Sequence, residues 1–131
     1  MCVFCQIIKG EIPAHKVYED DKVLAFLDIK PVNPGHVLVI SKNHYQNMES
    51  ISEEDLSALI LVVKKIGAKL KERLGVSGYN VIENNDAISG QVIPHIHFHI
   101  VPRIEGDNLL QWPGQEYKEG EAEEILKKLK N

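Results

Sequence analysis

The sequence predicts an α+β fold: an antiparallel sheet with one long helix and a short C-terminal helix. Three observations predict it. Strand-like runs lie both before and after a single long stretch of helical periodicity, an order that segregates helices from strands. Residues 95–99 alternate polar and apolar side chains, the period-2 pattern of a strand with one buried face. Residues 52–74 repeat apolar positions at helical spacing. The 131 residues suit one domain, expected to span 1–131 with a core at about 3–104 and an extension at about 105–131.

The elements follow in order. Residues 4–9 read as a short helical turn. Residues 16–19 and 23–27 read as two strands joined by a tight turn at Asp20 and Asp21. Residues 28–35 hold two prolines, an asparagine and a glycine, and form a loop. Residues 36–41 read as a buried strand. The long helix places Leu56, Leu59, Ile60, Val63, Gly67, Leu70 and Leu74 on one face. Ser52 is its expected N-cap, Glu53, Glu54 and Asp55 suit its first turn, and Gly75 closes it. Residues 79–83 and 95–101 are expected to pair as antiparallel strands, joined through 84–90. A final helix at about 121–130 has acids first and lysines last, matching its dipole.

Composition excludes some partners. The net charge is -4 and no basic stripe is present, so long nucleic acid is not expected. A small phosphate ligand is still compatible, because backbone N–H groups can hold one. The longest apolar run, 59–63, is too short to span a bilayer. Met1 to Phe4 lead directly into Cys5, Gln6 and Lys9 without a long apolar stretch, so a cytoplasmic location is expected. The two cysteines, Cys2 and Cys5, are spaced C-x-x-C. In a cytoplasmic chain that spacing favours a metal clip or a redox pair over a disulfide scaffold.

The chemistry concentrates at His95, Ile96, His97, Phe98 and His99. On a strand the three imidazoles share one face, while Ile96, Phe98 and Ile100 share the face that enters the core. With six histidines in the chain, an accidental H-x-H-x-H cluster is improbable. The residues alone leave two functional readings: a three-histidine metal site, or a nucleophilic histidine with two supporting imidazoles.

The stretch from Gly90-Gln91 through Pro102-Arg103 resembles the motif of the histidine triad (HIT) family. Phe4 through Pro13, Glu19 through Ile29 and Gly35 through Ile40 resemble it as well, so the likeness covers about residues 1–103. It implies a HIT-like fold and a purine nucleotide-binding hydrolase or transferase. Such an enzyme acts at an α-phosphate through a covalent nucleotidyl-histidine intermediate. His97 is then the nucleophile, with its second ring nitrogen donating to the carbonyl of His95. His99 donates to a phosphate oxygen, and His36 buttresses the network. By the same resemblance Asp28 binds the ribose hydroxyls and Phe4, Ile7, Phe26 and Ile29 line the base pocket. Asn84 and Gln91 stand near the phosphate and leaving group. Val92 departs from the family pattern, which often has Ser or Thr there, and so removes a hydroxyl that can donate to the leaving group.

The resemblance further implies a structural zinc ion held by Cys2, Cys5, His44 and His95, and a homodimer. Its branches act on adenosine phosphoramidates or on dinucleoside polyphosphates. Gln111-Trp112-Pro113-Gly114 resembles the first branch, Pro102-Arg103 with Gly106-Asp107 the second. The expected partner is a purine mononucleotide or dinucleotide substrate. The competing reading is a nucleotide-binding or signalling module with negligible turnover.

Overall fold

The protein is described by a computed structural model covering residues 2–109 and 112–130. Gln111 of the branch-related segment lies outside these residues. Helix α1 (Val3–Ile8) is followed by strands β1 (Lys16–Glu19), β2 (Val23–Leu27) and β3 (Val37–Ser41). Helix α2 (Glu53–Leu74), β4 (Gly78–Glu83), a 3-10 turn at Ala87–Ser89, β5 (His97–Arg103) and α3 (Glu121–Leu129) complete the order. The strands form one antiparallel sheet in the order β1-β2-β3-β5-β4. The α+β architecture expected from the sequence is therefore the observed one. Among the described residues no helix is long and apolar enough to cross a membrane.

The sheet is buried on both faces because two helices cover it. Val23, Ala25, Val37, Val39, Phe98 and Ile100 pack with Leu59, Val62, Val63 and Ile66 of α2. Leu24, Phe26, Leu38 and Ile40 point to the opposite face, where Phe4 and Ile7 of α1 cover them. The unbroken apolar runs in β2 and β3 follow from this two-sided burial. Ser52 caps α2 by accepting from the Asp55 amide at 3.1 Å, and Gly75 ends it in the left-handed region at φ 69°.

Several boundaries differ from expectation. The buried stripe of α2 runs through Leu59, Val62, Val63, Ile66 and Leu70, while Ile60 and Leu74 are exposed. Ile60 falls at the edge of the stripe, about 100° around the helix from Leu59, and Leu74 keeps the direction of the stripe but is the last residue of the helix. β3 begins at Val37 because the His36 amide instead closes a turn onto the Asn33 carbonyl at 3.1 Å. β5 begins at His97 and runs to Arg103. Pro94 has no N–H, the His95 amide folds back to the Ile93 carbonyl, and the Ile96 amide is taken by the Tyr45 carbonyl. The ladder therefore starts two residues later than the alternation suggests.

Asn33-Pro34-Gly35-His36 is a turn with proline and glycine at its two central positions, the arrangement a type II turn favours. Gly35 has φ +93°, and a Cβ there would stand 2.7 Å from Leu74 Cδ1 and 3.3 Å from Pro102 Cγ. Gly10 has a similar φ of +80° with nothing within 4 Å. Gly10→Ala is expected to cost about 1 kcal/mol from backbone strain alone, and Gly35→Ala about 2–3 kcal/mol from strain plus contact. Denaturant titration of the two variants checks this, and equal losses would show that the close approach carries no weight.

Candidate active site

A cleft of about 510 Å³ opens beside α1, β2 and β5. Its walls include Phe4 and Ile7 of α1, Phe26 of β2, and Asp28 and Ile29 of the following loop. His97 and His99 of β5 close one end, with Gly90, Val92 and Ile93 of the preceding segment beside them. The two histidines reach the same cleft because they alternate on β5 with Phe98, which enters the α2 side of the core. Phe4 lies edge-on to the His97 ring, with centroids 5.0 Å apart. Ile29 is 85% exposed, so it is available as a wall of the cleft and not as core.

His95 is fully buried and does not line the cleft. Its backbone and its ring face different neighbours. Its carbonyl oxygen lies 2.8 Å from His97 Nδ1. A carbonyl can only accept, so His97 carries its proton on Nδ1 and leaves Nε2 with a free lone pair. The His95 ring itself sets Nε2 2.8 Å from the Ser41 carbonyl. By the same reasoning its Nδ1 is unprotonated.

A second chain of bonds orders the other pair. The Val32 amide donates to His36 Nδ1 at 3.1 Å. His36 therefore holds its proton on Nε2, which lies 3.0 Å from His99 Nδ1. His99 must accept there, so its own proton sits on Nε2. Where His97 offers an unprotonated nitrogen, His99 offers an N–H donor, and both line one cleft. Asp28 has its Oδ1 held by the Lys30 amide at 2.9 Å, and its Oδ2 lies 3.7 Å from His36 Nε2.

Burial keeps these imidazoles neutral. It lowers the pKa of His36 against the opposing pull of the Asp28 carboxylate. Burial also pushes His99 down to about 4, helped by His97 and His36 and again opposed by Asp28. His97 is lowered chiefly by burial, against its bond to the His95 carbonyl.

Among the described residues two clusters have the composition of a metal site. Cys2, Cys5, His44 and His95 bring their ligand atoms within 4.8 Å of one another. His95 Nδ1 lies 3.4 Å from Cys2 Sγ, 3.6 Å from Cys5 Sγ and 3.1 Å from His44 Nδ1, and Cys5 Sγ lies 3.3 Å from His44 Nδ1. A tetrahedral ion with ordinary Zn–S and Zn–N bonds separates sulfur from nitrogen by about 3.6 Å and the two nitrogens by about 3.3 Å. The donor set fits such an ion, and the bond from His95 Nε2 to Ser41 supplies the outer partner that metal-bound histidines require. Asp28, His36 and His99 are equally close but do not fit. His36 Nε2 carries a proton as long as Nδ1 accepts from Val32, so it has no lone pair for a metal.

Asn84 and Gln91 stand outside the cleft lining. The Gln91 amide group is engaged by backbone: Nε2 donates to the carbonyls of Gln46 and Ile93, and Oε1 accepts from the Asp86 amide. Asn84 packs against Gly90. The sequence reading also missed groups that matter here. The Val32 and Lys30 amides and the Ser41 carbonyl are backbone atoms, to which side-chain identity gives no clue. Val3, Ile12 and Leu38 line the cleft, but nothing distinguishes them in sequence from ordinary core residues.

A profile of the HIT domain matches residues 9–106. The chain belongs to the HIT family. An uncharacterised HIT-like protein of Methanocaldococcus jannaschii is 49% identical over 130 residues, covering 99% of each chain. An adenosine 5'-monophosphoramidase of Candida albicans is 44% identical over 106 residues, covering 78% of this chain and 70% of its own. The crystal structure of a zinc-bound HIT family protein from Mycobacterium smegmatis matches with a TM-score of 0.80 at 36% identity, covering 88% of this chain and 84% of that one. Some relatives in the family thus carry the name of a nucleotide hydrolase, and among the described residues of this chain Cys2, Cys5, His44 and His95 are candidate metal-binding residues.

The depressed histidines give a pH signature. His36 and His99 have native pKa values below the unfolded value of about 6.5, so between that pH and about 4 the unfolded chain binds protons that the native chain does not. Stability therefore falls as pH drops through this window. Denaturant midpoints from pH 8 to 4 are expected to decline below about pH 6.5. Replacing both His36 and His99 with Gln should flatten that decline, and an unchanged slope would show that these rings are not its source.

Proposed function

We propose that the protein is a purine nucleotidyl hydrolase or transferase in which His97 attacks an α-phosphorus. The observation that carries this reading is the bond from His97 Nδ1 to the His95 carbonyl, which aims an unprotonated Nε2 at the cleft. His97 forms a bond to phosphorus as the leaving group departs, giving a nucleotidyl-histidine that water then hydrolyses. His99 donates its Nε2 proton to a non-bridging phosphate oxygen and stabilises the charge that develops there. His36 supports His99. Asp28 accepts from the ribose hydroxyls, and Phe4, Ile7, Phe26 and Ile29 enclose the base. Asn84 and Gln91 act by bracing the 84–93 segment to which they belong, shaping the leaving-group side.

The cleft supports a substrate of low charge. Among the described residues its lining contains one lysine, Lys30, and no arginine, with the carboxylate of Asp28 on the same wall. A dinucleoside polyphosphate would bring several negative charges to a site with little to neutralise them. An adenosine phosphoramidate-type substrate, with a single charged phosphoryl group, suits the lining better, in line with the activity named for the Candida albicans relative.

A zinc ion held by Cys2, Cys5, His44 and His95 completes the proposal. It would be structural, since four protein ligands fill its shell, and would tie α1, with Phe4, to the residue that holds His97. Two copies are proposed to pair along the exposed edge of β4, where Val81 is 43% exposed, together with Ile60 and Leu61 of α2. That would cover an open sheet edge.

Incubating stoichiometric protein with a labelled adenosine phosphoramidate is expected to trap a nucleotidyl adduct on His97. His97→Ala should bind nucleotide without forming it, and His99→Ala should slow turnover about a hundredfold. Binding by the wild-type protein with neither adduct nor product would leave a nucleotide-binding module instead.

The assembly is checked separately. Elemental analysis should find about one zinc per chain, lost together with several degrees of melting temperature when Cys2 and Cys5 become Ser. Sedimentation should give about twice the 14.8 kDa of one chain. Metal-free protein of full stability, or a mass of one chain, would overturn the respective claim.

A further inference from the structure

The loop that carries Val32 is itself clamped at a distance from the cleft. Asn33 Nδ2 donates to the Pro102 carbonyl at 2.8 Å and to Asp107 Oδ2 at 3.2 Å. Asp107 is gripped by Arg103, through Nε at 2.8 Å and a terminal nitrogen at 3.0 Å. Arg103 also reaches Asn80 of β4 at 2.9 Å. The Ile104 and Leu109 amides take further bonds to the same carboxylate. These contacts hold the Asp107 carboxyl well below the usual carboxylate range, led by the bond to Arg103. The Asp107 side chain is 6% exposed and that of Arg103 25%, so the clamp is a charge-assisted network at the partly exposed edge of the fold.

We propose that Asn33, braced by Asp107 and Arg103, is a positioning residue that sets which nitrogen of His99 carries the proton. The order runs through four links. Asn33 fixes the turn in which its own carbonyl receives the His36 amide. The turn aims the neighbouring Val32 N–H at His36 Nδ1, placing the His36 proton on Nε2. That proton faces His99 Nδ1, so the His99 proton is on Nε2, at the cleft. If the turn shifts, His36 is free to hold its proton on Nδ1. His36 Nε2 then becomes an acceptor, His99 Nδ1 becomes the donor, and His99 presents a lone pair where a donor is needed. No charge changes in this sequence; each imidazole keeps one proton and exchanges its position.

The proposal rests on the reading of His99 as donor to phosphate, but its first test needs no nucleotide. Long-range 1H–15N correlation spectra of histidine-labelled protein at pH 7.5 report the tautomer of each ring. The wild-type protein is expected to show the Nε2–H form for both His36 and His99. Asn33→Asp keeps the shape of the side chain and removes its donor, setting a carboxylate against the Pro102 carbonyl and Asp107. It is expected to give a mixture of tautomers at both rings. On the adenosine phosphoramidate substrate its kcat should fall about tenfold or more with KM within about twofold, the split expected when only transition-state contacts are lost. A merely structural role would lower melting temperature without moving the tautomer. Should Asn33→Asp fail to fold, Arg103→Lys, which keeps the charge but cannot span both carboxylate oxygens, is read in the same way. A wild-type His99 protonated on Nδ1, an unchanged tautomer in the folded variant, or a changed tautomer with full kcat would each overturn the proposal. If wild-type protein turns over no nucleotide at all, the proposed function fails while the spectra still decide whether the clamp orders the ring.

Discussion

The bend at Pro94 and His95 is the constraint on which the site depends. By breaking the ladder just before β5, it allows one residue to face two ways. The His95 carbonyl holds His97 Nδ1, and the His95 ring reaches Cys2, Cys5 and His44. Had the strand begun at His95, that carbonyl would be directed into the sheet and the ring would repeat the direction of His97. Burial makes the arrangement stringent, because a buried polar atom without a partner costs about 1–3 kcal/mol. The His95 ring nitrogen bonds the Ser41 carbonyl of β3, which ties the bend to the middle of the sheet.

Backbone groups, more than charged side chains, decide the protonation pattern. The His95 carbonyl, the Ser41 carbonyl and the Val32 amide each meet one ring, and each dictates where that ring's proton sits. Among the described residues the carboxylate close to the relay is that of Asp28, which opposes the effect of burial on His36 and His99 without reversing it. Four neutral imidazoles with ordered protons result. This suits a site that must offer a lone pair and a donor side by side, because an imidazolium at His97 would have no lone pair to give.

The two faces of the sheet divide the labour. The α2 face carries the larger apolar cluster and supports β5 from behind through Phe98 and Ile100. The α1 face is thinner, and its cover, Phe4 and Ile7, doubles as a wall of the cleft. A short helix of six residues has little intrinsic stability. Its position therefore depends on burial of those two side chains and on the cysteine–histidine cluster at its start.

The sequence by itself determined the α+β class, the long helix with its Ser52 and Gly75 ends, and the alternation that puts His97 and His99 in one cleft. These are periodic or local signals, set by side-chain type and spacing. The resemblance of its motifs pointed to the family and to Asp28, Phe4, His36 and the Cys2–Cys5 pair. Only the tertiary structure decided the late start of β5, the engagement of Gln91 by backbone, and the exposure of Ile60 and Leu74. It alone showed the Asn33–Asp107–Arg103 clamp, whose members are up to 74 residues apart. The physical reason is that each depends on contacts between segments distant in the chain. A main-chain carbonyl or amide is open to any residue, and a side chain is buried or paired only where packing brings its partner, so local pattern cannot name the contact before the chain has folded.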